Sequence, residues 1–355
     1  MFYIHQTTCI SPQRSFGEIK IDELRESVGN KLTVIEPSYS GISPAVLRRM
    51  GKSARMGAGA AQPLFKPAAA ANGIIIGSGN GGMEESVKFL KQIIEYDEGM
   101  LTPGSFVQST SNAIASQAAL STGNKGYNIT HVHRGLAFEN AVIDAGLMIK
   151  ENPSHTYLLG GVDEISAYNY NLESLEGWYK KEEVSNRQLY EGNSAGSIAG
   201  EGAAMFLVNG NGTNALAQVR AVLTLHSREE KDVLNMLQHF LNTHLPPGEK
   251  IGLLISGENG DNRFLHFYAG CEGLAGSDAT VVRYKHMSGE YPTASACALW
   301  LACTVPFLPL PPHHMIKKGS SKNGKNGKGG NKHTLIYNNH KGSQHSLMLV
   351  SGEGS

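Results

Sequence analysis

The sequence predicts an α/β protein built from two similar layered halves, and three observations lead there. Of 355 residues only 17% are charged, whereas 42 are glycine. Sparse charge with many tight turns suits a mostly buried sheet, not a solvated helical array. Next, residues 127–164 run from a short apolar-flanked segment through a turn and a helical pattern into a second apolar segment. Ala137, Ala141 and Ala145 form a ridge of small residues on that helix. Small side chains allow close approach, so the helix is expected in the middle of the molecule. Finally, the pattern returns: 250–257 repeats the strand that stops at glycine, 287–303 the small-residue helix and 342–350 a closing strand. Either half alone would expose its central helix, so the halves must stack as sheet on helix on sheet.

Phe2, Tyr3 and Ile4 open a first strand, and 11–45 is polar and turn-rich with Pro37 and Pro44. A helix is predicted over 45–56, carrying Arg48, Arg49, Lys52 and Arg55 on a basic side. That side is read as solvated, with an anionic carrier or substrate as the alternative. An apolar strand from Gly73 runs into Gly77, Gly79 and Gly82, which spell GxGxxG before a helix over 84–95. Asp97 stands near the distance of a ribose ligand, as in a dinucleotide site. Such a site needs a strand leading to the acid, and 88–96 stays helical, so a glycine turn packed close to the sheet is preferred. A helix starts within 106–112, capped by Ser109 or Thr110, and 113–120 is small and apolar. The strand at 127–130 enters the turn His131-Val132-His133-Arg134-Gly135, and the central helix opens near Leu136. A strand over 156–159 ends on Gly160 and Gly161, 166–190 reads as loop, and GEGAA at 200–204 leads into an apolar strand. The units are expected at 1–210 and 211–355. Residues 316–333, rich in Lys, Gly and Asn, cannot offset their ordering entropy and are expected as a mobile basic loop.

A formal net charge of zero gives no electrostatic case for nucleic acid. No apolar stretch reaches the roughly 18 residues of a spanning helix, so no membrane is expected. The N-terminus carries no basic start followed by an apolar run. Cys9, Cys271, Cys297 and Cys303 show no CxxC spacing and no secreted framework, which fits a reducing cytoplasm and no metal. Cys297 and Cys303, on an apolar helical segment, are read as packed thiols.

The turn at 131–135, the GGVDE at 160–164, GEGAA, the segment Lys285-His286-Met287-Ser288-Gly289-Glu290 and the terminal strand follow one another in the order of a known family. The chain from Gly73 to Val350 resembles β-ketoacyl synthases of the thiolase superfamily. The resemblance implies a duplicated α/β fold of five layers, α-β-α-β-α, and no cofactor. It also implies a nucleophilic cysteine on the turn before the central helix, with two histidines beside it. A condensing enzyme needs that thiolate at a helix N-terminus, imidazoles for decarboxylation and an oxyanion hole.

This chain departs from the family at each place. The nucleophile's seat falls on Val132, or on His131 or His133 with a shift of one, and holds no sulfur. The first family histidine belongs in the loop Ser256-Gly257-Glu258-Asn259-Gly260-Asp261, which has none. The second is replaced by Glu290, although Lys285 is kept. The family's Phe-containing glycine turn reads Asn339-His340-Lys341-Gly342-Ser343. His131, Val132, His133, Glu258, Lys285, Glu290 and Gly342 are therefore read as positions of a degenerate site. The preferred account of Glu290 is an ion pair with Lys285 that stabilises the emptied pocket; the alternative pairs it with His131 or His133 as acid and base. Glu139 and Asp144 do not share a helix face and receive no paired role. The implied function is that of a β-ketoacyl-acyl-carrier-protein synthase-like protein of fatty acid, polyketide or polyene biosynthesis, a non-condensing subunit of the chain-length-factor type as found in aryl-polyene and flexirubin pigment pathways. Its expected partners are an acyl carrier protein and a cysteine-bearing ketosynthase across 106–120, with a homodimer as the alternative. An acyltransferase or decarboxylase using His and Glu, and a dinucleotide-dependent oxidoreductase, are the rival functions.

Overall fold

A computed structural model describes residues 1–65, 71–305, 311–319 and 333–352. The first half contains β1 (Phe2–Ile10), β2 (Lys31–Leu32), α1 (Pro44–Leu47), α2 (Lys52–Ala61), β3 (Gly73–Gly77), α3 (Met83–Glu95), α4 (Pro103–Gln108), α5 (Ala113–Thr122), β4 (Tyr127–His131), α6 (Ala137–Glu151), β5 (Tyr157–Asp163), α7 (Ala167–Leu175), β6 (Ala199–Gly200) and β7 (Gly202–Asn209). The second contains β8 (Ala217–His226), α8 (Glu230–His244), β9 (Leu253–Ser256), α9 (Leu265–Ala275), β10 (Thr280–Arg283), α10 (Lys285–Ser288), α11 (Ala294–Thr304), β11 (Ile316–Lys318), β12 (His333–His340) and β13 (Gln344–Gly352).

The larger sheet runs β11-β10-β9-β12-β13-β8-β1-β7-β5-β3-β4. In the first half the neighbours are β4-β3-β5-β7-β1, and in the second β10-β9-β12-β13-β8. In both, the fifth strand of the half lies antiparallel between the fourth and the first. The repeat glimpsed in the sequence is thus a repeat of topology. β1 pairs with β8 through Phe2, Tyr3 and Ile4, which joins the two sets of strands.

The layers follow from what each helix buries. α6 and α11 share a core with inward residues of both sets of strands, including Phe2, Phe206, Ile255 and Ile336. Every residue of α11 from Ala294 to Cys303 is buried. Small side chains such as Ala141, Ala145, Ala294 and Ala298 help two helices fit between the sheets. α2 and α5 cover the outer face of the first half, and α8 and α9 that of the second. The order is α-β-α-β-α. Burying Phe138, Val142 and Ile149 on α6 contributes roughly 1.5–3 kcal/mol each.

Several expected boundaries are corrected. The helix at 45–56 is two helices, α1 and α2, separated at Gly51. The region 166–190 is not all loop, because it contains α7. Gly160 and Gly161 do not end β5, which continues to Asp163. A side chain at Gly160 would overlap Met205, and one at Gly161 would meet Ala296, so these glycines serve close packing. α5 begins after Asn112, with no side-chain cap, and neither Ser109 nor Thr110 caps it. The basic loop is shorter than expected, since Ile316–Lys318 forms β11 on the edge beside β10 and His333 opens β12. The rest of that run, 320–332, lies outside the described residues.

Candidate functional site

β4 is the last strand of its sheet, and the chain leaves it through the turn that starts α6. Arg134 holds a left-handed φ of 50° there. A nucleophile on a strand-to-helix elbow sits at the strained residue of the turn. That residue is Arg134, one position beyond the seat expected at 131–133, and its side chain is exposed.

The three residues expected in the seat point elsewhere. His131 Nε2 lies 2.9 Å from Asp144 Oδ2 on α6, and Tyr127 donates to the same oxygen. Asn140 Nδ2 donates to His133 Nδ1 at 2.9 Å, and Val132 is exposed. Neither histidine is bonded to Glu290, so the proposed acid/base pairing is not formed. Asp144, given no role from its spacing on the helix, anchors the end of β4. Glu139, also passed over, is fully buried; Ser346 donates to its Oε1, its Oε2 has no partner, and burial raises its pKa.

The second half closes over the turn. Lys285 Nζ lies 2.9 Å from Glu290 Oε1, and Lys285 is completely buried. Asn259 Nδ2 donates to Glu290 Oε2 at 2.8 Å. Burial pushes the Glu290 carboxyl up, but the Lys285 ammonium and the nearby His340 ring outweigh it and hold the pKa at about 2. His340 Nδ1 stands 3.9 Å from Glu290 Oε1, too far for a hydrogen bond, and has no hydrogen-bond partner among the described residues. A side chain at Gly135 would overlap the His340 ring, so His340 lies directly on the turn. Gly135 N donates to Gln344 Oε1 at 3.0 Å. An amide at the start of α6, the kind of donor that holds a developing oxyanion, is therefore already engaged by the chain's own side chain.

The gap left among Tyr179, Asn259, Glu290, Pro292 and His340 has a volume of about 20 Å3. That admits about one water and no acyl chain. Glu258 is not part of it: its carboxylate meets Arg283 at 3.0 Å and Lys317 at 2.5 Å, towards β10 and β11. Gly342, φ 65°, supports the turn between β12 and β13, where Phe264 leaves no room for a side chain. Lys285 and Glu290 are thus brought together, whereas Glu258 and Gly342 lie outside the contact and the residues at 131–133 face away. Asn259, His340 and Gln344 complete the arrangement. The quoted loop and turn contained Asn259 and His340, but nothing in their spacing marked them.

The glycine motif after β3 holds a carboxylate of the chain itself. Asp163 accepts from Ser78 Oγ, Gly79 N, Asn80 N and, across the halves, Thr293 N and Oγ1. α3 is followed by a turn at Asp97, φ 49°, and by α4, not by a strand. The dinucleotide reading fails on both counts. In GEGAA, Glu201 is buried and accepts from Lys52 Nζ, Val34 N and Ile165 N. Arg55 pairs with Glu36, so of the basic face only Arg48 and Arg49 remain exposed and unpaired among the described residues.

All four cysteines are buried. Burial raises the Cys271 thiol and pushes Cys303 up to about 12, so neither offers a thiolate at neutral pH. No group of metal-ligating side chains occurs among the described residues, and no described helix is long and apolar enough to cross a membrane.

Solved structures share this architecture. A β-ketoacyl synthase from Burkholderia phymatum STM815 is similar with a TM-score of 0.74 at 13% identity, covering 99% of each chain. The ishigamide ketosynthase/chain length factor gives 0.74 at 15% identity, again over 99% of each. A type II PKS acyl-carrier protein in complex with its ketosynthase bound to the hexaketide gives 0.71 at 13% identity over 99% of each. No curated protein matches the sequence. Residues 29–244 match the β-ketoacyl synthase N-terminal domain. That match covers more than half of the chain, and the repeated strand order around a buried helix agrees with it: the protein belongs to the β-ketoacyl synthase family.

Proposed function

We propose that this chain is a non-condensing β-ketoacyl synthase homologue, a chain-length-factor-type subunit of a polyketide, polyene or pigment pathway. The observation that carries the reading is the self-occupied turn: no sulfur, His340 seated against Gly135, and Gln344 on the Gly135 amide. In this reading residues 1–210 and 211–355 are the two units, and His340 and Gln344 of the second close over the turn of the first.

The partner is a cysteine-bearing ketosynthase, with a second copy of this chain as the alternative, and the substrate arrives on an acyl carrier protein. An exposed apolar face supports this. Ile94, Met100, Phe106, Val107, Leu120 and Val132 are 80%, 88%, 58%, 55%, 75% and 49% exposed. Beside them β4 is the terminal strand of its sheet. Large apolar exposure next to an open strand edge marks an association surface. In the assembled pair this face shapes the partner's acyl tunnel.

The test is transfer of a radiolabelled acyl group from acyl carrier protein to the purified chain, alongside an Arg134→Cys variant. No stable label is expected on either, because His340 and Gln344 remain in place. Stable label on the natural chain would defeat the non-condensing reading. Co-purification with a cysteine-bearing ketosynthase expressed alongside tests the partner, and an isolated stable homodimer would reject it.

A further inference from the structure

A separate cavity of about 470 Å3 is lined by Tyr179, Lys180, Lys181, Ser194 and Arg263 among others, within the roughly 300–1,000 Å3 of small-molecule sites. It shares only Tyr179 with the gap at Glu290 and nothing with residues 106–120. Lys180 is 6% exposed, yet no carboxylate pairs with it among the described residues. Its Nζ meets neutral oxygens: Ser194 O at 2.9 Å, Gly260 O at 2.8 Å and Ser194 Oγ at 3.0 Å. Asp261, an acid of the neighbouring loop, is engaged by Arg263. The backbone of Lys180 is pinned on both sides, its N donating to Ser197 O at 2.9 Å and its O accepting from Asn30 Nδ2 at 2.9 Å.

A buried ammonium without a counter-charge is costly, and lysine answers burial by giving up its proton. The contacts suit the neutral form. An amine has two hydrogens for the two carbonyl oxygens, and the Ser194 hydroxyl can donate to its lone pair. Burial lowers the Lys180 pKa; the Asp261 carboxylate opposes that and the Arg263 guanidinium adds to it. Ser194 is exposed, so its hydroxyl can turn away and free the lone pair, which makes the amine a nucleophile of the kind that attacks carbonyl carbons. Lys181 and Arg263 also line the cavity, with Glu182 as the one carboxylate, so the balance favours an anionic ligand. We propose that this cavity takes a small aldehyde bearing a carboxylate, and that Lys180 Nζ adds to its carbonyl carbon. The C–N bond forms, the C=O bond breaks, and the oxygen leaves as water with the two amine hydrogens, giving an imine. The site uses nothing at the turn, so it does not depend on the non-condensing reading.

The test incubates the purified full chain at neutral pH with glyoxylate and cyanoborohydride, which reduces the imine to a stable amine, and locates the label by peptide mass spectrometry. Lys180 is expected to be trapped at least about tenfold faster than its exposed neighbour Lys181. In guanidinium chloride the two rates should converge, because the fold makes the difference. With propanal, which lacks the carboxylate, the excess at Lys180 should shrink. Lys181→Gln, an exposed change, should slow trapping of glyoxylate at Lys180 and leave that of propanal unaltered. Equal rates at Lys180 and Lys181 in the folded chain, an excess that survives denaturation, the same excess with propanal, or an unchanged glyoxylate rate in Lys181→Gln would overturn the proposal.

Discussion

The turn before α6 and the face formed by α3, α4, α5 and β4 lie along the same part of the chain yet have opposite characters. At the turn, polar groups converge and nearly all find partners within the chain: Glu290 with Lys285 and Asn259, Gly135 with Gln344. On the face, α3 buries no residue at all and large apolar side chains stand in solvent. A working condensing site would show the reverse, an open cavity with unspent donors. Under the proposed reading, recognition by this chain lies at its surface, and the contact of Lys285 with Glu290 beside the turn acts as a structural clamp.

The sharpest way to break the comparison is to break the clamp. Lys285→Ala leaves Glu290 buried without its cation, and removal of one partner of a buried pair costs about 3–5 kcal/mol. Urea denaturation should show that loss, while Lys285→Met combined with Glu290→Leu should cost far less. A loss below about 1 kcal/mol in the single variant would mean that the pair does not hold the site together.

Acid comes next. His286 lies next to Lys285, and its Nε2 contacts His314 Nδ1 at 2.8 Å. Burial, with the His314 and Arg283 charges, lowers its pKa from 6.5 to about 3. The unfolded chain takes up a proton near pH 6.5 that the folded chain refuses, so stability falls as pH drops from about 6.5 towards 3. Glu290 adds its own loss only below about pH 4.5, because its folded value is about 2. His286→Gln should flatten the upper part of the profile; an unchanged slope between pH 6.5 and 4.5 would assign it to other groups.

Opening the turn is a smaller change. His340→Ala removes the ring that covers Gly135 and should cost about 1–3 kcal/mol. A crystal structure of the variant should show an enlarged gap with ordered water. If the ring's place is refilled by neighbouring side chains, His340 is not what closes the site. On the face the expected stability effect is the smallest. Phe106→Asp and Leu120→Glu should shift folding by no more than about 0.5 kcal/mol yet prevent co-purification with the partner. Retained association would move the contact surface elsewhere.

The central strand–turn–helix–strand was legible because its signals are local: a ridge of alanines and apolar segments on either side. The ion pair of Lys285 with Glu290 was legible for a similar reason, five residues apart in one motif. Gly160 and Gly161 misled, since in sequence a glycine pair reads as punctuation, whereas here Met205 and Ala296 pack against the bare backbone. Asn259, His340 and Gln344 escaped because each acts on a residue far away in the chain, Gln344 on Gly135 across 209 positions. Arg134 was missed because a left-handed backbone at a non-glycine residue leaves no mark in composition.

The strand Phe2–Ile10 lies between β7 and β8, and its residues are registered with 203–209 and 217–219. During synthesis it must wait until more than half of the chain has emerged before either neighbour exists. Topologies closed by such distant pairings fold slowly and keep unpaired edges exposed meanwhile. The ladder that joins the two halves thus also delays the pairing of the first strand, whose apolar side chains stay unburied until residues 203–209 have been made.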